Sequence, residues 1–371
     1  MSAFKIIKRD NNSQARCGIL HTSHGKVKTP AYMPVGTSGA VKGILPRYLK
    51  EIGSDIMLAN TYHLLLRPGV DVIEKIGGLH KFIGWDKPIL TDSGGYQVFS
   101  LNSLTTIDDE GVEFSSHIDG QKFRLNAETA VDIQSRLGAD IIMCFDQCTE
   151  FPCDQRELEK AVERTIRWAR TSKKVHQNKK QRLFGIVQGG IDQTLRRECA
   201  QELVKMDFDG YALGGLSVGE GHKHMVNTTA YTSQFLPANK PRYLMGIGMP
   251  ADIIAGVKQG IDMFDCVLPT RNGRNAFAFT DAGPVRLRNS VHIEDVYPVE
   301  RDCDCYCCRQ FSRSTIRHFF NVGEMLGPIL LSMHNLRFFQ RLTEQIRKKI
   351  EAGSFANWAD EKINEYLKLY G

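Results

Sequence analysis

Short apolar runs that end at small, polar or acidic residues recur along most of the chain, with longer polar segments between them. The eight runs occupy residues 31–36, 55–63, 88–95, 140–147, 183–190, 210–217, 242–249 and 262–269. Apolar positions at helical spacing predict helices in several intervals, at residues 126–139, 154–174, 192–206 and 249–260. Buried strands that alternate with helices are typical of a parallel sheet covered on both faces. Eight repeats predict a closed (β/α)8 TIM barrel of the α/β class.

The residues at the ends of these runs are candidates for chemistry, because a (β/α)8 barrel carries its catalytic groups at the C-terminal ends of its strands. The run ends supply Asn60, Asp92, Asp146, Gln188, Gly215 and Asp265. The ordinary alternative is that each of them caps the following helix. Capping explains neither a Gln nor the glycine-rich turns that follow several runs. We therefore expect these groups to converge on one mouth of the barrel.

Residues 98–125 interrupt the alternation. Their pattern has a period of two, and Asp119–Gly120 is a turn signal, so they predict an inserted antiparallel hairpin after the third run. The hairpin would lie over the mouth of the barrel, either as a lid or as a plain surface loop.

The composition of the 371 residues, 42% hydrophobic and 24% charged, is that of a globular protein and excludes disordered and fibrous classes. The net charge is +6, and residues 266–349 hold 13 Lys and Arg against 8 Asp and Glu, which is +5 of that total. A polyanionic partner would therefore meet the C-terminal third. The sequence has no stretch of 18 apolar residues and no N-terminal signal segment, so we expect a cytoplasmic protein without a membrane partner.

Four of the ten cysteines crowd into residues 303–308. Cys303, Cys305 and Cys308, together with His334 on a predicted helix, form the donor set of a closed, structural zinc site. The spacing alone also allows Cys307 in place of Cys308, and unliganded or redox cysteines are the competing interpretation. Zinc would make residues 286–371 a metal-stapled subdomain, with C-terminal helices packed on a barrel formed by residues 1–285.

Several motifs together are specific to one family. They are TDSGGYQ (91–97), MCFDQC (143–148), IVQGG (186–190), GGLSVGE (214–220), YLMGIG (243–248), MFDCVLPTRNGR (263–274) and the CDCYCC cluster with its later His. The chain resembles a bacterial tRNA-guanine transglycosylase over nearly its whole length. The resemblance implies a (β/α)8 barrel with a zinc subdomain. It also implies an enzyme of queuosine biosynthesis, which exchanges the wobble guanine of tRNAs with a G-U-N anticodon for a 7-deazaguanine base.

The resemblance places the nucleophile at Asp265 and the general acid/base at Asp92. The chemistry requires such a pair. Exchange of a base with retained configuration takes two displacements at ribose C1′, so one carboxylate bonds covalently to the sugar while the other moves the proton of the leaving and entering bases. The covalent intermediate would survive only where water is excluded.

The resemblance also places recognition of the guanine edge at three residues. Asp146 would accept hydrogen bonds from N1–H and the 2-amino group, while Gln188 and the backbone N–H of Gly215 would donate to O6. These contacts distinguish guanine from adenine, because adenine would leave the buried carboxylate of Asp146 unpaired.

Four further residues complete the base site that the resemblance implies. Tyr96 and Met245 would sandwich the purine. The backbone carbonyl of Leu216 would accept the ammonium of an aminomethyl substituent. Val218 occupies a position where members that use queuine tend to carry Gly, so its side chain favours the smaller 7-aminomethyl-7-deazaguanine.

For the macromolecular partners, the resemblance implies that Arg271 and Arg274 contact the bases beside the wobble nucleotide of a single-stranded loop. It implies a homodimer, with a contact region around Lys42, Thr315 and His318. The family usually has an aromatic residue where this chain has Thr315.

Two other functions compete with the transglycosylase. A catalytically silent, zinc-containing RNA-binding subunit would lack one of the acids that this chain keeps at residues 92, 146 and 265. An N-glycoside hydrolase would use the same two carboxylates but would admit water to the site.

Overall fold

The computed structural model describes residues 3–101 and 105–371. Within these ranges the strands are, in chain order, β1 (Phe4–Arg9), β2 (Arg16–Thr22), β3 (Gly25–Thr29), β4 (Ala31–Met33), β5 (Val35–Gly36), β6 (Met57–Ala59), β7 (Ile89–Thr91), β8 (Thr105–Ile107), β9 (Val112–Ser115), β10 (Lys122–Leu125), β11 (Ile141–Met143), β12 (Arg182–Val187), β13 (Gly210–Leu213), β14 (Arg242–Leu244), β15 (Met263–Asp265), β16 (Phe277–Ala278) and β17 (Val285–Arg286).

The helices of the same ranges are α1 (Pro46–Glu51), α2 (Thr61–Leu66), α3 (Val70–Ile76), α4 (Leu79–Ile83), α5 (Gly95–Leu101), α6 (Ala127–Leu137), α7 (Gln155–Val175), α8 (Gln193–Lys205), α9 (Gly221–Ser233), α10 (Pro250–Lys258), α11 (Leu268–Arg274), α12 (Tyr306–Gln310), α13 (Arg313–Val322), α14 (Leu326–Glu351) and α15 (Phe355–Tyr370). A 3-10 helix occupies Ser290–His292.

The central sheet is a parallel barrel in the order β4-β15-β14-β13-β12-β11-β7-β6-β5. Strands β4 and β5 are two halves of one apolar run, interrupted at Pro34, which has no N–H to donate to a ladder. The first half pairs with β15, through Ala31 opposite Met263, and the second with β6, through Val35 opposite Leu58. The run at residues 31–36 thus joins both edges of the sheet. Each of the eight predicted runs contains a barrel strand, so the predicted fold class is confirmed.

The helices between the strands begin at capping residues. The side chain of Asn126 accepts a hydrogen bond from the N–H of Thr129 in a capping box at α6, and Asp154 and Asp192 cap α7 and α8. At the strand ends, Asn60 is the residue before α2, but its side chain makes no capping bond and instead faces Asp92. The polar residues that cap these helices are therefore different from the polar residues at the mouth of the barrel.

The inserted segment forms a three-stranded antiparallel sheet in the order β10-β9-β8, one strand more than the predicted hairpin. The carboxylate of Asp108 accepts hydrogen bonds from the N–H groups of Glu110 and Gly111, and this turn adds β8 to the pair. The start of the predicted segment, at residues 98–101, belongs to α5, and residues 102–104 lie outside the described part of the chain.

An antiparallel sheet of β1, β2 and β3, which the sequence did not predict, lies at the N-terminal end of the barrel. The buried guanidinium of Arg16 donates to both carboxylate oxygens of Asp262, at 3.0 and 2.6 Å, just before β15. The backbone N–H and ring of His24, on the β2–β3 turn, contact buried Asp140, which also contacts the ring of His80. These contacts fix the sheet to the end of the barrel opposite the catalytic mouth.

The long helix α14 connects two hydrophobic cores. Its residues Phe339 and Ile346 pack into the barrel core, whereas Leu330 and Leu331 belong to a second cluster with the cysteines of residues 303–308. That second cluster also includes Ala276 and Ala278, so it begins before the predicted division at residue 285. The division into two domains stays a prediction. Among the described residues, no helix combines the length and apolar character that a membrane span needs.

Candidate active site and metal centre

A cleft of about 480 Å³ opens at the C-terminal ends of the barrel strands. The nine residues predicted to perform the chemistry or to bind the base all line it, namely Asp92, Tyr96, Asp146, Gln188, Gly215, Leu216, Val218, Met245 and Asp265. Arg271 lines the same cleft, and Arg274 stands one turn farther along α11, outside the lining. The barrel thus brings together, in one cavity, residues that lie more than 170 positions apart in the sequence.

Asp92 is buried at the end of β7, and three donors hold its carboxylate. Thr61 N–H donates to one oxygen at 2.8 Å, and the amides of Asn60 and Gln97 donate to the other at 2.5 and 2.9 Å. Burial raises the pKa of Asp92 to about 6, with a contribution from the charge of Asp265, although the three hydrogen bonds oppose the rise. A carboxyl with this pKa exchanges protons readily near neutral pH.

Asp265, at the end of β15, presents its two carboxylate oxygens differently. One oxygen, Oδ1, accepts hydrogen bonds from the hydroxyl of Tyr243 at 2.6 Å and from the N–H of Gly246 at 2.8 Å. No residue of the described ranges hydrogen-bonds to the other oxygen, Oδ2, and the side chain borders the open cleft. Burial raises the pKa of Asp265, and Gly246 and Tyr243 counteract part of that rise. The carboxylate is therefore anchored through one oxygen and has the other available to a ligand.

Asp146 and Gln188 form a buried pair across the ends of β11 and β12. The amide nitrogen of Gln188 donates to Asp146 at 2.7 Å, and the hydroxyl of Ser93 donates to its other oxygen at 3.2 Å. Burial raises the pKa of Asp146 to about 6, against the effect of these two hydrogen bonds and with a contribution from Asp92. The pair offers a ligand one acceptor and one amide donor side by side.

Two glycines after β13 make room for the side chain of Gln188. A Cβ on Gly214 would lie 2.6 Å from the amide nitrogen of Gln188, and one on Gly215 would lie 2.4 Å from its amide oxygen. Gly215 also has a φ of +64°, a conformation that a side chain disfavours. The Gly-Gly sequence therefore leaves the room that the Gln188 side chain needs in this conformation.

Glu220 organises the loop that follows these glycines. Its buried carboxylate accepts hydrogen bonds from the N–H groups of Ser217 at 2.5 Å and Val218 at 2.9 Å. Ser217 has a φ of +64°, which is unusual for a residue with a side chain. Sequence reasoning assigned no role to Glu220 or to Tyr243, although both lie inside the motifs that carried the resemblance.

The two predicted stacking residues occupy opposite parts of the cleft. Tyr96, on α5, is 52% exposed, and Met245 follows β14 and packs partly against the barrel core. Arg271 is exposed at the rim, whereas Arg274 is half-buried and one of its terminal nitrogens has no hydrogen-bond partner among the described residues. Burial and the neighbouring charge of Arg271 lower the pKa of Arg274.

The predicted metal ligands lie together in the second core. Cys303, Cys305, Cys308 and His334 are all buried, and one donor atom from each lies within 4.8 Å of the others. The Nε2 nitrogen of His334 faces the backbone carbonyl of Phe279 at 2.8 Å, which leaves Nδ1 toward the sulfurs, 3.3 Å from that of Cys308. Cys307, the fourth thiol of residues 303–308, is not in this group. The four grouped residues could hold one metal ion.

Comparisons with known proteins agree with this geometry. The family model described as queuine tRNA-ribosyltransferase matches residues 10–368. A queuine tRNA-ribosyltransferase of a Thermoanaerobacter species is 52% identical over 369 residues, which is 99% of this chain and 97% of that protein. Proteins of the same name from Thiobacillus denitrificans and Rickettsia rickettsii are each 50% identical, over 96% and 95% of this chain and 96% and 98% of their own lengths.

Proposed function

Because the chain belongs to the queuine tRNA-ribosyltransferase family, and is therefore a pentosyltransferase, we propose that it exchanges the wobble guanine of G-U-N anticodons for 7-aminomethyl-7-deazaguanine through a covalent aspartyl-ribosyl-tRNA intermediate. One observation carries the proposal: a free carboxylate oxygen of Asp265 and the proton-exchanging carboxyl of Asp92 border the same cleft as the Asp146–Gln188 pair.

In the first displacement, Oδ2 of Asp265 attacks C1′ of the wobble ribose. The C1′–N9 bond breaks as the new C1′–O bond forms, and protonated Asp92 gives its proton to the departing guanine. Tyr243 and Gly246 hold Oδ1, so the attacking oxygen keeps its direction toward the cleft.

In the second displacement, the incoming base attacks the same carbon through its N9. Asp92, now ionised, takes the N9 proton, and the C1′–O bond to Asp265 breaks to regenerate the free carboxylate. Two inversions retain the configuration at C1′, and no water is consumed. The pKa of Asp92, about 6, suits a group that must both give and take a proton near neutral pH.

The base site reads the guanine edge with the pair at residues 146 and 188. Asp146 accepts from N1–H and the 2-amino group, while the amide of Gln188 and the N–H of Gly215 donate to O6. In the structure, the amide of Gln188 donates a hydrogen bond to Asp146. The bound base replaces this contact with hydrogen bonds of its own, so neither buried group is left unpaired. Tyr96 and Met245 cover the two faces of the purine.

The preference for an aminomethyl substituent rests on the loop after Gly215. The carbonyl of Leu216 accepts the ammonium, and the side chain of Val218, which lines the cleft, restricts the room for a larger substituent. Glu220 fixes the backbone of this loop through two N–H groups and so keeps Val218 in place.

The anticodon loop lies across the rim near α11. Arg271 and Arg274 contact the bases beside the flipped nucleotide. Cys303, Cys305, Cys308 and His334 hold a structural Zn²⁺, for which three thiolates and one imidazole are a suitable donor set. The metal contributes stability to the basic segment that faces the tRNA and takes no part in the chemistry.

The protein acts as a homodimer in the cytoplasm. Eight of the fifteen large exposed hydrophobic side chains among the described residues lie between Val291 and Leu326 in the sequence, and one of them, Ile293, lines a surface depression together with Thr315 and His318. A second subunit would cover this surface. None of the ten cysteines forms a disulfide, which suits a reducing compartment.

Exchange and hydrolysis are separated by one assay. The protein is incubated with tRNA carrying labelled guanine at the wobble position, with and without 7-aminomethyl-7-deazaguanine. With the tRNA in large excess over the protein, the proposal predicts continued release of label only when the second base is present, and at most one guanine per active site without it. Release of many guanines per active site without that base would identify a hydrolase, and binding without release would identify a silent subunit; either result refutes the proposal.

A further inference from the structure

Arg196, in the first turns of α8, is a fully buried cation. Among the described residues, no carboxylate oxygen lies within ion-pair distance of its guanidinium, whereas Arg16, also buried, is paired with Asp262. A buried guanidinium is costly unless its N–H groups are all directed at acceptors. Its partners should therefore explain why the fold keeps it.

Those partners are three backbone carbonyls from the ends of two neighbouring strands of the base site. The guanidinium donates to Val187, the last residue of β12, at 2.9 Å, to Gly190 on the following loop at 2.7 Å, and to Gly215 on the loop after β13 at 3.4 Å. The planar fork of an arginine can serve three acceptors at fixed angles, which an ammonium group on a flexible chain cannot do equally well.

Two of these contacts, to Val187 and Gly215, constrain peptides next to groups that are proposed to face the base. The carbonyl of Val187 belongs to the peptide unit that contains the N–H of Gln188, and it also accepts from Gly214 N–H at 3.0 Å. The contact to Gly215 fixes the peptide that leads from Gly215 to Leu216. Arg196 thus connects the backbone of the amide donor with that of the glycine donor.

The carboxylate of Glu220 holds the other end of the loop after β13. Glu220 holds the N–H groups of Ser217 and Val218, whereas Arg196 holds the carbonyl of Gly215. The segment 215–218, which lines the cleft throughout, is therefore held by a cation at its start and by an anion at its end.

We propose that Arg196 is a positioning residue for recognition of the base O6, because it sets the relative placement of Gln188 and Gly215. This inference rests on the proposed function, in which these two residues donate to O6. It extends that function by naming the group that aligns the donors without touching the base.

The test compares the affinities of the full-length protein for three free bases. Guanine has every recognised group, 6-thioguanine replaces O6 by a weaker acceptor, and hypoxanthine lacks only the 2-amino group read by Asp146. Dissociation constants are measured calorimetrically for the wild type and for Arg196→Met. We expect the preference for guanine over 6-thioguanine to fall about tenfold in the variant, because an aligned hydrogen bond contributes roughly that factor. The preference for guanine over hypoxanthine should change by less than about threefold, since the contacts of Asp146 come from other loops.

Arg242→Met is the matched control. Arg242 is also buried, burial lowers its pKa to about 10 as it does that of Arg196, and it donates to the carbonyl of Leu236 at 2.7 Å, at the opposite end of the barrel. Its loss should lower stability and leave both preferences unchanged. A merely structural role for Arg196 would give the same pattern as this control and would overturn the inference.

Arg196→Lys decides the question if the Met variant does not fold. It keeps a charge in the cavity but not the planar fork, so the preference for guanine over 6-thioguanine should fall about threefold or more. A wild-type preference in that variant would overturn the inference. A wild-type protein that binds guanine no better than 6-thioguanine would instead refute O6 recognition itself, and the inference with it.

Discussion

The affinity for the free base should depend on pH through Asp146. This carboxylate must be ionised to accept from both N1–H and the 2-amino group, and burial raises its pKa to about 6. The ionised fraction falls from about nine tenths at pH 7 to about one tenth at pH 5. Because only that fraction binds the base well, the dissociation constant should be about tenfold higher at pH 5 than at pH 7 and nearly constant above pH 7.

Two variants assign this dependence to one residue. Calorimetric titration with guanine is carried out from pH 5 to pH 8 on the wild type, Asp146→Asn and Asp92→Asn. Asp92 also has a pKa of about 6, but the proposed function places it at the ribose rather than at the recognised edge. Asp92→Asn should therefore keep the pH dependence, with its midpoint at a lower pH because the charge of Asp92 no longer raises the pKa of Asp146. Asp146→Asn should bind weakly at every pH. An affinity that stays flat between pH 5 and pH 7 in the wild type, or a pH dependence that persists in Asp146→Asn, would refute the reasoning.

Three further predictions concern steric fit, the N-terminal sheet and the metal. Gly215→Ala should weaken base binding at least tenfold, because the Cβ of the alanine would lie 2.4 Å from the amide oxygen of Gln188. Calorimetry with guanine measures this effect, and an unchanged affinity would contradict the prediction. Burial alone would raise the pKa of Asp140, but His80, His24 and the N–H of Ile89 lower this pKa to about 2. The ionised carboxylate therefore stabilises the fold above about pH 4, and this stabilisation disappears as the pH falls toward 2. Asp140→Asn should therefore lose about 2 kcal/mol in urea unfolding at pH 7 and less at pH 3; equal losses at both values would exclude this origin. His334→Ala, or chelation, should lower the melting temperature and tRNA affinity while leaving guanine affinity within about twofold; loss of bound zinc with no change in melting would show that the site is not structural.

The barrel was predictable because its strands are short, mostly apolar and separated by helices, several of which have clear periodicity. Their end residues then followed from the geometry of the fold, which is why Asp92, Asp146 and Asp265 could be placed at one mouth from sequence. The N-terminal sheet was missed because its exposed strand β1 lacks a strong apolar signal. The strand β8 was missed because the Asx turn at Asp108 has no glycine at its start.

Positioning groups were harder to recognise than groups that face the ligand. Arg196 lies on a helix whose sequence is ordinary, and its contacts become visible only when three carbonyls from the ends of two neighbouring strands converge on it. The choice between Cys307 and Cys308 likewise depended on local geometry. Cys305 is the N-cap of α12 and Cys308 follows one helical turn later, so these two residues lie on the same side.

The covalent intermediate is the central claim, and mass spectrometry of the protein after incubation with tRNA tests it most directly. The account predicts an adduct whose mass equals protein plus tRNA less guanine, with the modified peptide carrying its ribosyl group on Asp265. The adduct should be absent from Asp265→Asn, although that variant still binds tRNA. Base exchange that proceeds with no adduct at any time point, or an adduct of the same mass in Asp265→Asn, would contradict the account.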